Sequence, residues 1–309
     1  MIISVLIPVF NVENFLIESV NSIFLQKKII CDWQLEVIIV DDCSTDRTYD
    51  IALELATRYD KIKVYRNEVN SKICKTLNFA LQNANGDFIL RIDGDDIALP
   101  TRIETQLSFL IEKKLDLVGC QMISISESGL EISKGFMPVG IEKIKVSSKY
   151  ASPIAHIWLA KREIYESLNG YRNIPYAEDY DFILRALDMG YCCDNHSEYL
   201  MLIRQREGNT ASTASLKQRK THRYVLELHK RRVANNSNDD GFSEDELAKK
   251  IKSWPLTEIL HIYSTNMLSS AYTDKNVFRK TFKIILSCLL SYYNFEYLIS
   301  RMMFKRTFM

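Results

Sequence analysis

The 309-residue sequence has no long hydrophobic run, no paired-cysteine motif, no glycine-rich loop after its first strand and almost no net charge. Each absence removes a class of protein. Near the C-terminus the longest apolar run, Ile284 to Tyr293, is interrupted by Ser287 and Ser291. A bilayer span needs ~20 apolar residues, so no transmembrane helix is expected. The apolar start Ile2-Ile3-Ser4-Val5-Leu6-Ile7 has neither a basic leader nor a small-residue cleavage site, and reads as a strand rather than a secretory signal. Cys31, Cys43, Cys74, Cys120, Cys192, Cys193 and Cys288 form no C-x-x-C pair and no metal-finger spacing, so reduced thiols in a cytoplasm fit best. No role attaches to the adjacent Cys192 and Cys193. A net charge of +1 gives no reason to expect a nucleic-acid partner, and no internal repeat is found.

The charge is nevertheless uneven. Segments 215–234 and 275–309 each carry seven basic side chains against one acidic, which leaves the remainder at −11. An acidic body with a basic C-terminal part suggests a surface facing anions.

Strands and helices alternate through the first half. Residues 2–9, Leu35 to Val40, Ile62 to Tyr65, Asp87 to Ile92 and Leu115 to Ser124 read as strands. Helical patterns fall at Val12 to Gln26, Asp46 to Tyr59, Ile73 to Asn83 and from near Pro100 to Lys113. That order implies an α/β fold with a mostly parallel sheet wrapped by helices. After Gly140 the elements shorten. A basic helix over 215–234 precedes the polar stretch 235–241, the best linker in the chain, and 243–309 reads as three or four helices.

Ligands of such sheets bind beyond the carboxyl ends of the strands, and three acidic clusters sit there. Asp41-Asp42 closes the second strand. Asp42 can accept a hydrogen bond from a nucleobase or cap the next helix, although Ser44 and Asp46 are better placed to cap. Arg91-Ile92-Asp93-Gly94-Asp95-Asp96 closes the fourth. In an extended segment Asp93 and Asp95 point the same way, Gly94 lets the backbone approach a ligand, and paired carboxylates suit Mg²⁺ or Mn²⁺. A bare D-x-D recurs by chance, but three acids ending a buried strand are a stronger signal. Glu178-Asp179-Tyr180-Asp181 opens a helix, where acids suit the dipole and one can serve as a general base.

Together these segments resemble the family 2 glycosyltransferases, which have the GT-A (Rossmann-like) fold, over about the first 210 residues. The resemblance rests on ISVLIPVFNVENFL, EVIIVDDCSTDRT, LNFALQNANGDFILRIDGDDIALPTRIETQLSFL and NGYRNIPYAEDYDFILRAL, in that order. It implies that Pro8, Phe10 and Glu13 lie near the nucleotide and that Asp42 contacts the base. It makes Asp93 a ribose or diphosphate neighbour and metal ligand, Asp95 the metal ligand, and Asp179, beside Glu178, the base of an inverting displacement. His156 falls where relatives carry a His beside the donor, and is as well read as a core residue. Asn70-Ser71-Lys72 replaces the usual Asn-x-Gly, so Lys72 or Lys75 is expected to touch the donor instead. Arg204, with Arg206, is expected to close over phosphates. Ile203-Arg204-Gln205-Arg206-Glu207-Gly208 is not the Gln-x-x-Arg-Trp of processive synthases, so single additions are expected. Trp158 reads as packing.

The implied layout is a GT-A catalytic domain over 1–212, with nucleotide-sugar binding in 1–114 and acceptor binding in 115–212, and a helical region over 213–309. The implied activity is metal-dependent hexosyl transfer from a nucleotide-sugar, UDP-linked by expectation, to a growing surface polysaccharide such as lipopolysaccharide, or to a lipid-diphosphate-linked saccharide. The rival from another class is a nucleotide-binding scaffold without turnover, which loss of Asp95 or Asp179 would signal; both are present. Phe278, Phe282, Ile285, Leu286, Leu289 and Tyr293 recur at helical spacing among Arg279, Lys280, Lys283, Arg301, Lys305 and Arg306. Residues 275–309 therefore either contact an anionic membrane from the cytoplasmic side or pack on the catalytic domain.

Overall fold

The computed structural model describes residues 1–206 and 215–308. The boundary expected at 212/213, and Glu207-Gly208, lie outside the described residues. Strands β1 (Ile2–Val9), β2 (Gln34–Asp41), β3 (Ile62–Arg66) and β4 (Phe88–Arg91) pair in parallel in the order β3-β2-β1-β4. Helices α1 (Leu16–Phe24), α2 (Thr48–Arg58) and α3 (Lys72–Gln82) connect them. Val37 through Val40 are fully buried, because apolar clusters lie on both faces of the sheet. That is why the strand reads as one continuous apolar run.

Beyond β4 the sheet becomes mixed. β5 (Ile97–Ala98) and helix α4 (Arg102–Glu112) lead to β6 (Leu117–Ile125) and β7 (Glu131–Lys134). Then follow α5 (Ile141–Ser147), β8 (Leu159–Lys161), α6 (Arg162–Ser167), α7 (Glu178–Asp188) and β9 (Cys193–Arg204). The sheet order is β3-β2-β1-β4-β8-β6-β9-β5, with β7 beside β6. β6 and β9 are parallel, whereas β8, β5 and β7 join antiparallel. The parallel expectation thus describes the first half, and the second half adds strands that the alternation of elements did not announce.

Four of the C-terminal helices follow the first of them, α8 (Ser215–Asn235): α9 (Glu244–Ile251), α10 (Pro255–Thr273), α11 (Val277–Leu290) and α12 (Tyr292–Arg306). A third apolar cluster joins them to the body, with Tyr180 and Leu184 of α7 against Tyr224, Val225 and Leu228 of α8. Segment 235–241 is not a free linker. Its Asp240 is buried and ion-paired with both Arg172 and Arg232, which pins the loop beneath α7. Unpaired burial of those charges would be costly, so the pairs fix where the loop runs.

Candidate active site

The acidic clusters lie at the carboxyl ends of β2 and β4 and at the start of α7, and Arg91 joins two of them by pairing with Asp93 and Glu178. Four non-glycine residues around them sit in the left-handed region: Asn11, Cys43, Lys72 and Tyr176. Asn tolerates that region, but a bulky Tyr there is held by its surroundings.

β4 ends at Arg91, and residues 93–96 form a turn in which the Asp96 amide donates to the Asp93 carbonyl at 3.1 Å. The alternation expected of an extended segment therefore stops, and it is residues three apart that converge. Asp93, Asp96 and His156 each offer a ligand atom, all within 4.8 Å of one another. Asp95 is outside that trio and accepts from Arg206 Nε at 2.6 Å, while its charge still bears on Asp96 and that of Arg206 on Asp93. Packing also calls for glycine at position 94, where a Cβ would meet Val9 Cγ1 at 2.6 Å.

Arg91 is the buried counter-charge of the crevice. Its guanidinium donates to Asp93 at 3.0 Å and to Glu178 at 3.1 Å, which ties the turn after β4 to the first residue of α7. Burial alone would raise Asp93, but Arg91 and then His156 hold it below its usual range. Asp96 is pushed up to about 6 by burial, with Asp95 and Asp93 adding to the rise against His156. Burial opposes the charged form of His156, yet the neighbouring Asp93 and Asp96 keep it above its ordinary value. His156 Nε2 is buried with no hydrogen-bond partner among the described residues, 3.4 Å from Asp93 and 3.9 Å from Asp96. An orphaned imidazole nitrogen facing two carboxylates is a donor set that fits a divalent ion, Mn²⁺ better than Mg²⁺ because of the nitrogen.

Arg102, the Arg of the Pro-x-Arg segment, is fully buried and donates to the carbonyls of Arg91 and Ile157 at 2.8 and 2.9 Å. It holds the strand end that presents the acids. Burial lowers it to about 10, so it stays charged.

Three acids open α7 and meet three different environments. Glu178 is buried against Arg91, and burial together with the charge of Asp179 raises its pKa against that partner. Asp181 is buried between Arg172 and Arg185. Asp179 is half-buried and forms no ion pair among the described residues; its one hydrogen bond there is from the Tyr180 amide at 2.7 Å. Of the three, it alone has a carboxylate left over for a substrate.

Asp42 does a capping job, but for a later helix than the one that follows it. Its carboxylate accepts from Asn67 Nδ2 at 2.8 Å and from the amides of Ser71 and Lys72 at 2.7 and 2.9 Å, at the start of α3. Glu13 likewise accepts from the Arg47 amide at the start of α2. Phe10 is exposed and Pro8 buried at the end of β1, and Lys75 is exposed on α3. Trp158 is packed, as expected, with its Nε1 donating to the Tyr165 hydroxyl.

Arg204 requires a correction. It lies at the end of β9 with 4% exposure. Its guanidinium donates to the carbonyls of Asp95, Ser126 and Glu127 and to the Glu18 carboxylate. Four of its five N–H groups are thereby taken by the protein, which leaves no fork to offer a phosphate. It is a latch between β9 and the acidic turn. Arg91 and Arg206 matter more than the sequence reading allowed. The available signal was the accumulation of acids at one strand end, which demands buried positive charge nearby.

A mixed sheet whose parallel half presents acids at its carboxyl ends, with a further acid pair on a helix facing them, defines a GT-A glycosyltransferase. Residues 4–169 match the description "Glycosyl transferase family 2", and the chain belongs to that family. EpsE of Bacillus subtilis (strain 168), named as a glycosyltransferase, is 34% identical over 209 residues, covering 66% of this chain and 73% of EpsE. The O-antigen biosynthesis glycosyltransferase WbnJ of Escherichia coli is 30% identical over 219 residues, covering 69% and 83%. In fold, the chain is similar to S. aureus TarS 1-349 solved with UDP-GlcNAc, at a TM-score of 0.62 and 19% identity over 98% of this chain and 92% of that one. It is also similar to the mannosyltransferase PcManGT from Pyrobaculum calidifontis, solved with GDP-Man and Mn²⁺, at 0.58 and 16% over 97% and 86%.

Proposed function

We propose that this glycosyltransferase moves a hexose from a UDP-sugar to a growing surface polysaccharide or lipid-linked saccharide, one residue at a time and with inversion. The observation that carries the chemistry is Asp179, the acid of α7 left without an ion-pair partner among the described residues. In the proposed step the acceptor hydroxyl oxygen forms a bond to the anomeric carbon, the bond from that carbon to the diphosphate breaks, and Asp179 takes the hydroxyl proton. Glu178 and Arg91 set the start of α7 against the acidic turn. UDP as carrier is supported by the TarS complex with UDP-GlcNAc, and a surface-glycan acceptor by the name of WbnJ.

Asp93, Asp96 and His156 would hold a divalent ion, and Asp95 would join them on leaving Arg206. Such an ion supplies positive charge to a departing diphosphate. Pro8, Phe10, Glu13, Asp42 and Lys75 form the donor side in this reading. Residues 1–114 serve the nucleotide-sugar, 115–212 the acceptor, and 213–309 a helical region that contacts an anionic membrane through 275–309 from the cytoplasmic side. The test is a donor screen of UDP-, GDP- and dTDP-sugars, with release of nucleoside diphosphate as readout. Turnover of a UDP-hexose that EDTA abolishes supports the reading. A clear preference for GDP- or dTDP-sugars, or full activity in EDTA, removes the corresponding part of it.

A further inference from the structure

The α10–α12 bundle is built with polar groups inside and large apolar groups outside. Its buried side chains include His261, Ser264, Ser287, Ser291 and Asn294, against only Leu268, Ala271 and Phe304 among the apolar ones. The polar set is joined by hydrogen bonds across the helices. Ser264 Oγ donates to the Ser287 carbonyl at 2.8 Å, and Ser287 Oγ donates back to the Ser264 carbonyl at 2.9 Å. Asn294 Nδ2 donates to Ser264 Oγ at 2.7 Å, and His261 Nδ1 lies 2.7 Å from Ser291 Oγ. Small residues at the interface with hydroxyl and amide groups as glue are how helices pack when the surroundings are apolar.

The outward face is the complement. On α11, Phe278, Phe282, Ile285 and Leu289 recur at intervals of four, three and four residues, and are 88, 65, 55 and 78% exposed. They form one stripe on the side of the helix away from buried Ser287. On α12, Tyr292, Phe295, Ile299 and Met302 make a second exposed stripe. Basic side chains lie on the same two helices, Arg279 beside the α11 stripe and Arg306 within the α12 one, with Lys280 toward the Ser287 side. Arg279, Lys280, Arg301, Lys305 and Arg306 form no ion pair among the described residues, whereas Lys283 is held by Asp274 at 2.8 Å. No helix among the described residues is long and apolar enough to cross a membrane.

We infer that the α11 stripe is a lipid-inserting ridge, seated at the boundary between headgroups and acyl chains of an anionic bilayer. This rests on the membrane contact proposed above and changes its nature from charge alone to partial burial of apolar side chains. Charge decides the occupant. A second copy of the chain would bring two strongly basic faces together, whereas anionic headgroups complement them. The ridge buries what water leaves exposed, and the cations of these helices stay at headgroup level.

The test uses the full-length protein and vesicles of phosphatidylglycerol with phosphatidylcholine, or of phosphatidylcholine alone, at ~0.1 M and ~1 M salt. Screening shortens from ~10 Å to ~3 Å between those salts, so charge-only attachment dissolves in the second. The wild type is expected to pellet with anionic vesicles and to keep a bound fraction at high salt. Phe278→Ser/Phe282→Ser/Leu289→Ser should lower that partition about tenfold or more while donor turnover in vesicle-free solution stays unchanged. Those positions are solvent-exposed, so the variant keeps its core, and the unchanged turnover doubles as a folding control. If binding vanishes at high salt, with Arg279→Gln/Lys280→Gln/Lys305→Gln/Arg306→Gln abolishing it and the serine variant not, the contact is electrostatic and the ridge does not insert. A wild type that stays in the supernatant overturns the membrane contact altogether. So does a concentration-dependent dimer that the serine variant dissolves, which would make a second copy the occupant.

Discussion

Asp179 and Asp181 sit two positions apart on α7 and face opposite worlds. Below α7, Asp181 is locked between Arg172 and Arg185, and Asp240 joins Arg172 to Arg232, which also meets Asp188. Above it, among the described residues, Asp179 has no ion-pair partner and His156 Nε2 no hydrogen-bond partner, while Asp93, shared by Arg91 and His156, crowds Asp96. The seam below is closed by ion pairs among its own residues, whereas the acids above are only partly matched by Arg91 and Arg206. Mutually paired charges hold a structure in place; a buried polar atom without a partner calls for an explanation of its own.

The comparison can be broken from either side. The largest effect belongs to the crevice. Asp95→Ala, or removal of divalent ions with EDTA, should abolish transfer while circular dichroism and melting stay those of the wild type. If either leaves activity intact, the acidic turn is a structural acid cluster like the seam. The seam should show the inverse pattern. Asp240→Ala takes from Arg172 and Arg232 the carboxylate they share, leaving them Asp181 and Asp188, and is expected to cost about 1–3 kcal/mol of stability in urea unfolding, the scale of buried donors losing a partner. Turnover per folded molecule should change little.

pH separates the two regions more gently. Burial works to raise Asp181, but Arg185 and Arg172 hold it below its usual range. Its contribution to stability is therefore complete above the unfolded value of about 3.9 and is lost as pH falls through the lower folded value. Thermal melts should show a stability that drops as pH falls below about 4, and Asp181→Asn should flatten that drop while lowering the plateau. The smallest effect is expected at Lys75, which is exposed on α3. Lys75→Ala should raise KM for the donor about two- to fivefold with kcat unchanged, the scale of one exposed ionic contact. An unchanged KM would remove Lys75 from the donor side.

How much of this was legible in the sequence depended on which force fixed each element. β1 to β4 and the helices between them are plain, because strands buried on both faces leave unbroken apolar runs and amphipathic helices a regular period. β5 and β8, at two and three residues, carry no period at all. They exist because β9, β4 and β6 offer them hydrogen bonds. The acids of the site are visible as residues, but their roles are decided by partners remote in sequence. Asp42 is occupied by amides about thirty positions on, and Glu178 meets Arg91 across 87 residues. Asp96 rather than Asp95 groups with Asp93 and His156 because the strand stops at Arg91, and a period-two argument cannot anticipate a turn. On α11 the apolar stripe is legible; that it faces outward, with Ser287 inward, is set by the helix it packs against.

The account turns on Asp179 being the proton acceptor, and one paired measurement reaches it directly: donor affinity by calorimetry and turnover at saturating donor and acceptor, for the wild type and Asp179→Asn. General-base catalysis is worth ~10²–10⁴-fold, and a base contributes little to ground-state affinity. The predicted result is turnover reduced by about that factor with donor affinity unchanged. Weakened donor binding with turnover at saturation intact would contradict it, and would place Asp179 in the nucleotide site instead.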